Sequence, residues 1–330
     1  MNTPVNDPGP DYWDGSAYDA ETVRFFDVAH EGAQARALIP AVEPLTRLLG
    51  DMRPRSIVVL PTDAVARACA CFVAADQQSA PVMIVSDLPK FLGSLDVFVV
   101  VGERAISEVA SRALSAAAQR GATTILIAPG RGPLLEDAPQ DTFIMPGLPT
   151  AEGPSPARCI AGLQIVCAAL DQPAAITENY LVGIASELDE ELEQLSPERS
   201  AEVNPARQLR DFVEGAHVIH TGPLADVIGA VWSNGGLGGT AVPLEAVPLV
   251  LERRAQAADH AGLPDRTDPF FDPFLDGPPL VLSKVIFWGS EAPEGLPYAL
   301  SAPAASAQAH PLQLIVRAYA ATALDPSKGE

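Results

Sequence analysis

Histidines, cysteines and a glycine cluster are the first places to look for chemistry in this 330-residue chain. His217 and His220 form an H-x-x-H pair, but the residues around them (AHVIH) read as a strand. Positions three apart on a strand face opposite sides and do not readily share a metal. Cys69, Cys71, Cys159 and Cys167 fit no familiar zinc spacing and read as core thiols of a reducing compartment. No metal and no cofactor is expected. Gly235 to Gly239 hold neither a Gly-Lys-Ser/Thr nor a G-x-G-x-x-G pattern. Two readings of these glycines stay open: a tight turn after a helix, or a close approach of backbone to a ligand.

Polar groups at the ends of elements are the other candidates. Thr62, Arg104, Ser107, Thr221, Ser233 and Asn234 all fall at expected strand-to-helix turns or helix ends. A doubly wound sheet forms its ligand crevice at such turns.

Elements of the right kind precede and follow those turns. SIVVL (56–60), VMIV (82–85), VFVVV (97–101) and TTILIA (123–128) are short apolar runs, as expected of strands covered on both faces. Val65 to Ala75 and Ile106 to Gln119 supply helices between them, which gives right-handed crossovers and a parallel sheet. Two helices joined by a bend near Pro40 and Pro44 are expected over Asp19 to Leu49. Downstream, Arg158 to Leu170 reads as a buried helix and SELDEELEQLSPE as a solvated one. AHVIH starts a second strand series, followed by a helix through Trp232, strands at Val242 to Leu251 and Val281 to Trp288, and a last helix from Ala307 to Leu324. Residues 1–15 are expected to be a loose arm, and 261–279 an ordered loop or a mobile excursion.

Length and charge narrow the function classes. The chain is longer than one core usually organises, so two domains are expected, divided near residue 150 in the stretch MPGLPTAEGPSP. A net charge of −21 opposes nucleic acid and anionic lipid. The N-terminus shows no secretory pattern and no run is long enough to span a bilayer, which predicts a cytoplasmic protein.

Residues 203–234 (VNPARQLRDFVEGAHVIHTGPLADVIGAVWSN) resemble the start of the second domain in the bifunctional phosphoglucose/phosphomannose isomerase family, whose members carry two sugar-isomerase (SIS) domains. Asn204, Pro205, Ala206, Gly222, Leu224 and Ala225 stand at matching places. Arg120-Gly121-Ala122 before a strand, the passage Ala128 to Leu134, and Gly32-Ala33-Gln34 extend the likeness to most of the chain. The resemblance implies two αβα three-layer sandwiches with parallel sheets: an N-terminal SIS-like domain over 1–150 and a C-terminal one over 151–330. It also implies a homodimer.

The family's chemistry needs a phosphate cradle, a ring-opening group and a carboxylate base that moves a proton through an enediol. This chain departs from the pattern in each respect. Where the family has its first glycine-serine loop it reads Leu60-Pro61-Thr62-Asp63-Ala64, with one N–H lost to proline and an acid near the phosphate position. The second loop reads Val101 to Ser107 and leaves Arg104 as a substitute anchor, or else as a surface or ion-paired arginine, with Ser107 as a minor contributor. Gly238 stands where the catalytic glutamate belongs. Glu103, Glu245 and His260 are the weak replacements, and Lys328 is a doubtful match for the family's C-terminal lysine. With Gly222 added from the matched loop, the expected ligand contacts are Thr62, Arg104, Ser107, Thr221, Gly222, Ser233 and Asn234.

The resemblance therefore implies a degenerate sugar-isomerase-fold protein that binds a phosphorylated sugar or serves as a regulatory or interaction subunit in carbohydrate metabolism. The alternative is an active, divergent glucose-6-phosphate/mannose-6-phosphate isomerase. A third reading uses the acidic stretch Ser186 to Glu198 as a docking face for a partner.

Overall fold

Unbroken apolar runs become the interior of parallel sheets when helices cover both faces. The computed structural model describes residues 19–76, 80–148, 153–261, 281–296, 298–302 and 310–327. The expected arm at 1–15, Lys328 and nearly all of the 261–279 stretch lie outside them.

Three helices open the described chain: α1 (Ala20–Ala29), α2 (Glu31–Ala37) and α3 (Ile39–Leu49). The first sheet follows as β1 (Ser56–Pro61), α4 (Ala64–Asp76), β2 (Val82–Ile84), β3 (Asp96–Val101), α5 (Glu108–Gln119), β4 (Thr123–Ile127), α6 (Pro133–Glu136) and β5 (Phe143–Ile144). Helices α7 (Pro156–Ala168), α8 (Ala174–Leu195) and α9 (Pro205–Val213) lead to the second sheet. That sheet comprises β6 (His217–Thr221), α10 (Ala225–Asn234), β7 (Thr240–Ala241), α11 (Val247–Ala261), β8 (Ser283–Trp288) and β9 (Ala299–Ala302), and α12 (Pro311–Ala323) comes last.

All pairings are parallel, in the orders β2-β1-β3-β4-β5 and β7-β6-β8-β9. Each order reverses direction once, between β1 and β3 and between β6 and β8. Loops there leave on opposite faces and open a crevice beyond the strands' C-terminal ends.

Alternate residues of each strand fill different cores. Val58, Leu60, Phe98 and Val100 pack against α5 on the outer face of the first sheet. Ile219, Val285 and Phe287 pack against Val242 and Val247 on the outer face of the second. The inner faces, with Ile57, Val99 and Ile127 from one sheet and Val218, Ile286 and Trp288 from the other, share a single buried cluster with α4, α7, α8, α10 and α12. Helix α7, although it follows residue 150, lies on the first sheet, where a side chain at Gly162 would press on Ile127.

Several expectations change. Val242 to Leu251 is not a strand: the only strand there is Thr240–Ala241, followed by a 3-10 turn at Leu244–Ala246 and then α11. Pro243 and Pro248 cannot donate to a ladder, and the second suits a helix's first turn. The Asp19 to Leu49 region forms three helices rather than two, with breaks at His30 and Leu38, while Pro44 is accommodated inside α3. The acidic stretch is not simply solvated, because Leu188, Leu192 and Leu195 are buried and the buried Glu191 pairs with Arg317 of α12 at 2.7 Å. Cys71 is exposed, whereas the other three cysteines are buried.

The Asn-Pro-Ala element has a structural job. Asn204 is fully buried; its Oδ1 accepts the N–H groups of Ala206 (3.0 Å) and Arg207 (3.2 Å), and its Nδ2 donates to the carbonyls of Leu195 (3.1 Å) and Ser196 (3.0 Å). One side chain thus caps the start of α9 and closes the end of α8. Asn204→Ala is expected to cost about 1–3 kcal/mol, read by chemical denaturation, because it leaves buried donors and acceptors unpaired.

Candidate functional site

The first crevice is built by the loops after β1 and β3. Pro61 ends β1 and Asp63 starts α4: one carboxylate oxygen of Asp63 accepts the Ala66 N–H at 2.8 Å. Its other oxygen accepts the Glu103 N–H at 2.9 Å and the Thr62 hydroxyl at 3.2 Å. Thr62 Oγ1 in turn accepts the Arg104 N–H at 3.4 Å. Donors from both loops therefore converge on a side chain of the protein itself, at the helix N-terminus where a doubly wound fold would otherwise receive an anion.

Behind this crevice lies an ionic cluster. Arg158, at the start of α7, is 1% exposed. Its Nη1 donates to the Ala128 carbonyl at 3.1 Å, and its Nη2 contacts both oxygens of Glu103. Burial pushes the Glu103 carboxyl above its ordinary value, with Arg158 opposing the rise. Next to it the fully buried Glu31 of α2 accepts the Ala157 N–H at 2.8 Å and the Ser155 hydroxyl. Burial pushes Glu31 up to about 8. The Ser155 hydroxyl accepts the Arg158 N–H and caps α7.

Glu103 is thus bound to Arg158 instead of standing free as a base. Ser107 is spent on capping α5 through the Ala110 N–H at 3.3 Å. Arg104 is different: its side chain is exposed and forms no ion pair among the described residues. Its guanidinium is therefore not ion-paired among them, as the other arm of that reading had it, and stands at the crevice mouth. Thr62, Arg104 and Ser107 stand together at this crevice.

At the second crevice Thr221 is fully buried and its hydroxyl has no partner among the described residues. Gly222 has φ 99°, and a β-carbon there would collide with the Trp288 carbonyl; the backbone of the crossing strands demands glycine. Ser233 and Asn234 are not brought to this edge. They lie exposed in the last turn of the ten-residue α10, about 12–14 Å along the helix from its start.

Gly238 and Gly239 have positive φ (71° and 132°). A β-carbon on Gly239 would strike the His220 ring, so the cluster serves a close approach to a buried side chain. His220 accepts the Trp288 indole N–H on Nδ1 at 3.1 Å and meets Trp232 edge-on at 4.7 Å. Burial lowers it to about 4, so it is neutral at physiological pH. Glu245 is exposed on the 3-10 turn, and His260 lies in α11 with its side chain outside the description. Gly238 faces open space, and none of the three proposed replacements is seen to supply a carboxylate or imidazole beside it.

Sequence reasoning missed Glu31 and Arg158. The available signal was a charged residue at the head of an otherwise apolar helix, RCIAGLQIVCAAL, which demands a buried counter-charge somewhere.

No family model matches the chain, nor does any curated protein sequence. Solved structures do. The C-terminal domain of glucosamine-fructose-6-phosphate aminotransferase from Francisella tularensis has a TM-score of 0.56 at 8% identity, covering 93% of this chain and 95% of that one. Tagatose-6-phosphate ketose/aldose isomerase from Escherichia coli has a TM-score of 0.55 at 12% identity, covering 91% and 92%. The chain therefore has the parallel α/β fold of the phosphosugar isomerases, over nearly its whole length.

A buried acid raised in this way has a pH signature. Between about 4.5 and 8 the folded state holds a proton on Glu31 that the unfolded chain has lost, so stability falls as pH rises through that window and levels off above it. Glu31→Gln, which keeps the shape and removes the titration, is expected to flatten this part of the curve, measured by denaturation from pH 5 to 9. Separately, Arg158→Met is expected to destabilise by about 3–5 kcal/mol because Glu103 is left buried and unpaired.

Proposed function

We propose that this is a non-isomerising protein of the sugar-isomerase fold that holds a phosphorylated sugar at the crevice between β1 and β3 and acts as a binding or regulatory subunit, most naturally as a homodimer. The reading is carried by the division of charge at that crevice. Asp63 takes up the converging N–H donors and Glu103 is tied to Arg158, while Arg104 keeps an exposed guanidinium with no ion pair among the described residues. A ligand phosphate sits outside the filled cradle, against Arg104, and binds weakly because the carboxylates of Asp63 and Glu103 lie nearby. The absence of an acid at Gly238 and the engagement of Glu103 support binding without proton transfer. The fold likeness to phosphosugar isomerases supports the ligand class.

Isothermal titration with fructose 6-phosphate tests this reading. Millimolar binding is expected, weakened about tenfold or more by Arg104→Ala. Asp63→Ser keeps a capping oxygen and removes the carboxylate, and is expected to tighten binding. Turnover of glucose, mannose or fructose 6-phosphate in a coupled assay, surviving in the purified recombinant protein, would sink the non-catalytic reading; no heat at millimolar ligand would sink the ligand.

A further inference from the structure

We propose that the protein has a second binding site, for an uncharged amphipathic small molecule, in the cavity enclosed by α4, α7, α8 and the start of α12. The cavity measures about 530 Å³, within the range of small-molecule sites. Its position separates it from the crevices. Asp76 is the last residue of α4, and Cys167 and Ala168 close α7, so the cavity lies at the helix ends remote from the C-terminal edge of β1 and β3.

Its walls are apolar, formed by Phe72, Val73, Ile165, Ile176 and Leu181. Polar side chains interrupt them, among them Gln164, Thr177, Tyr180 and His310. The Gln164 carbonyl oxygen and the Thr177 hydroxyl are shielded from bulk water and have no hydrogen-bond partner among the described residues, although Thr177 is only 4% exposed. Orphaned buried polar atoms are rare because each costs free energy, and a ligand carrying both a donor and an acceptor supplies what they lack. His310 Nδ1 accepts the Leu312 N–H at 3.2 Å, so the neutral ring carries its proton on Nε2 and donates it to the Tyr180 oxygen at 2.7 Å. Burial favours that neutral form. The Tyr180 oxygen also accepts a hydrogen bond from the Gln164 side chain, so its own proton is left to donate at the half-exposed mouth.

Charge sets the ligand class. Asp76 and Asp171 both line the cavity and repel anions, which separates this ligand from a sugar phosphate. An apolar ring or chain bearing one hydroxyl or amide matches the walls and the polar spots together.

Three molecules of one shape test the proposal: p-cresol, toluene and p-toluate, titrated into the full chain and followed by two-dimensional NMR. Saturable shifts at Phe72, Ile176 and Tyr180 are expected with p-cresol at roughly millimolar concentration. Toluene should bind about threefold to tenfold more weakly, the worth of one hydrogen bond, and p-toluate should not bind. Ala168→Phe fills the cavity and should abolish the p-cresol shifts while leaving fructose 6-phosphate binding unchanged. If that variant does not fold, Ile176→Trp at the exposed mouth serves the same purpose. The proposal is overturned if p-cresol gives no saturable shifts up to about 10 mM, if p-toluate binds as well, or if binding survives both variants.

Discussion

A guanidinium sealed from water must find its counter-charge inside the protein, and Arg158 finds it in Glu103. That pairing fixes more than two side chains. Arg158 heads α7, Glu103 follows β3, and the second donor of Arg158 goes to the carbonyl after β4. Glu31 adds α2 by accepting a hydrogen bond from the first turn of α7, and Gln34 adds the segment at Leu148 through its amide oxygen at 3.1 Å. The edge of the first sheet is thereby held by one ion pair and several hydrogen bonds that join α2, α7 and the segments after β3 and β4. A doubly wound sheet commonly receives its ligand at such an edge.

The rest of the crevice follows from that constraint. With Glu103 turned toward Arg158, its backbone N–H points the other way and meets Asp63. Asp63 then satisfies the start of α4 and both loops at once, an arrangement that leaves the donors of the fold's anion cradle already engaged. At the second sheet the equivalent economy is apolar: His220 is sealed between Trp232 and Trp288, and glycine at 239 makes room for its ring. Both crevices thus carry residues that stabilise the scaffold at edges where a doubly wound sheet commonly receives its ligand.

Much of this scaffold was legible in the sequence because its strands are short apolar runs with β-branched residues, as in VFVVV and TTILI. The strands that escaped are those without that mark: Phe143–Ile144 has two residues, and Ala299–Ala302 is Ala-Leu-Ser-Ala. The run VPLEAVPLVL is apolar enough for either element, and its prolines, which exclude a central strand, decided for a helix. The switch-point rule placed Thr62, Arg104, Ser107 and Thr221 at the C-terminal edges of the strands, where the structure has them. It failed for Ser233 and Asn234, since a helix that follows a strand ends at the opposite side of the sheet. Arg158 and Glu103 are 55 positions apart, and Glu31 and Ala157 126 apart, so no local pattern announces either contact.

The single buried cluster between the two sheets has a mechanical corollary. Many two-lobed binding proteins close like a clamshell by bending at a slender waist. Here α4, α7, α10 and α12 interlock across the middle, and opening that seam would expose Trp232, Trp288 and the aliphatic residues packed on them. Separating the two sheets would therefore forfeit the burial of these residues, a cost that favours a single orientation of one sheet against the other.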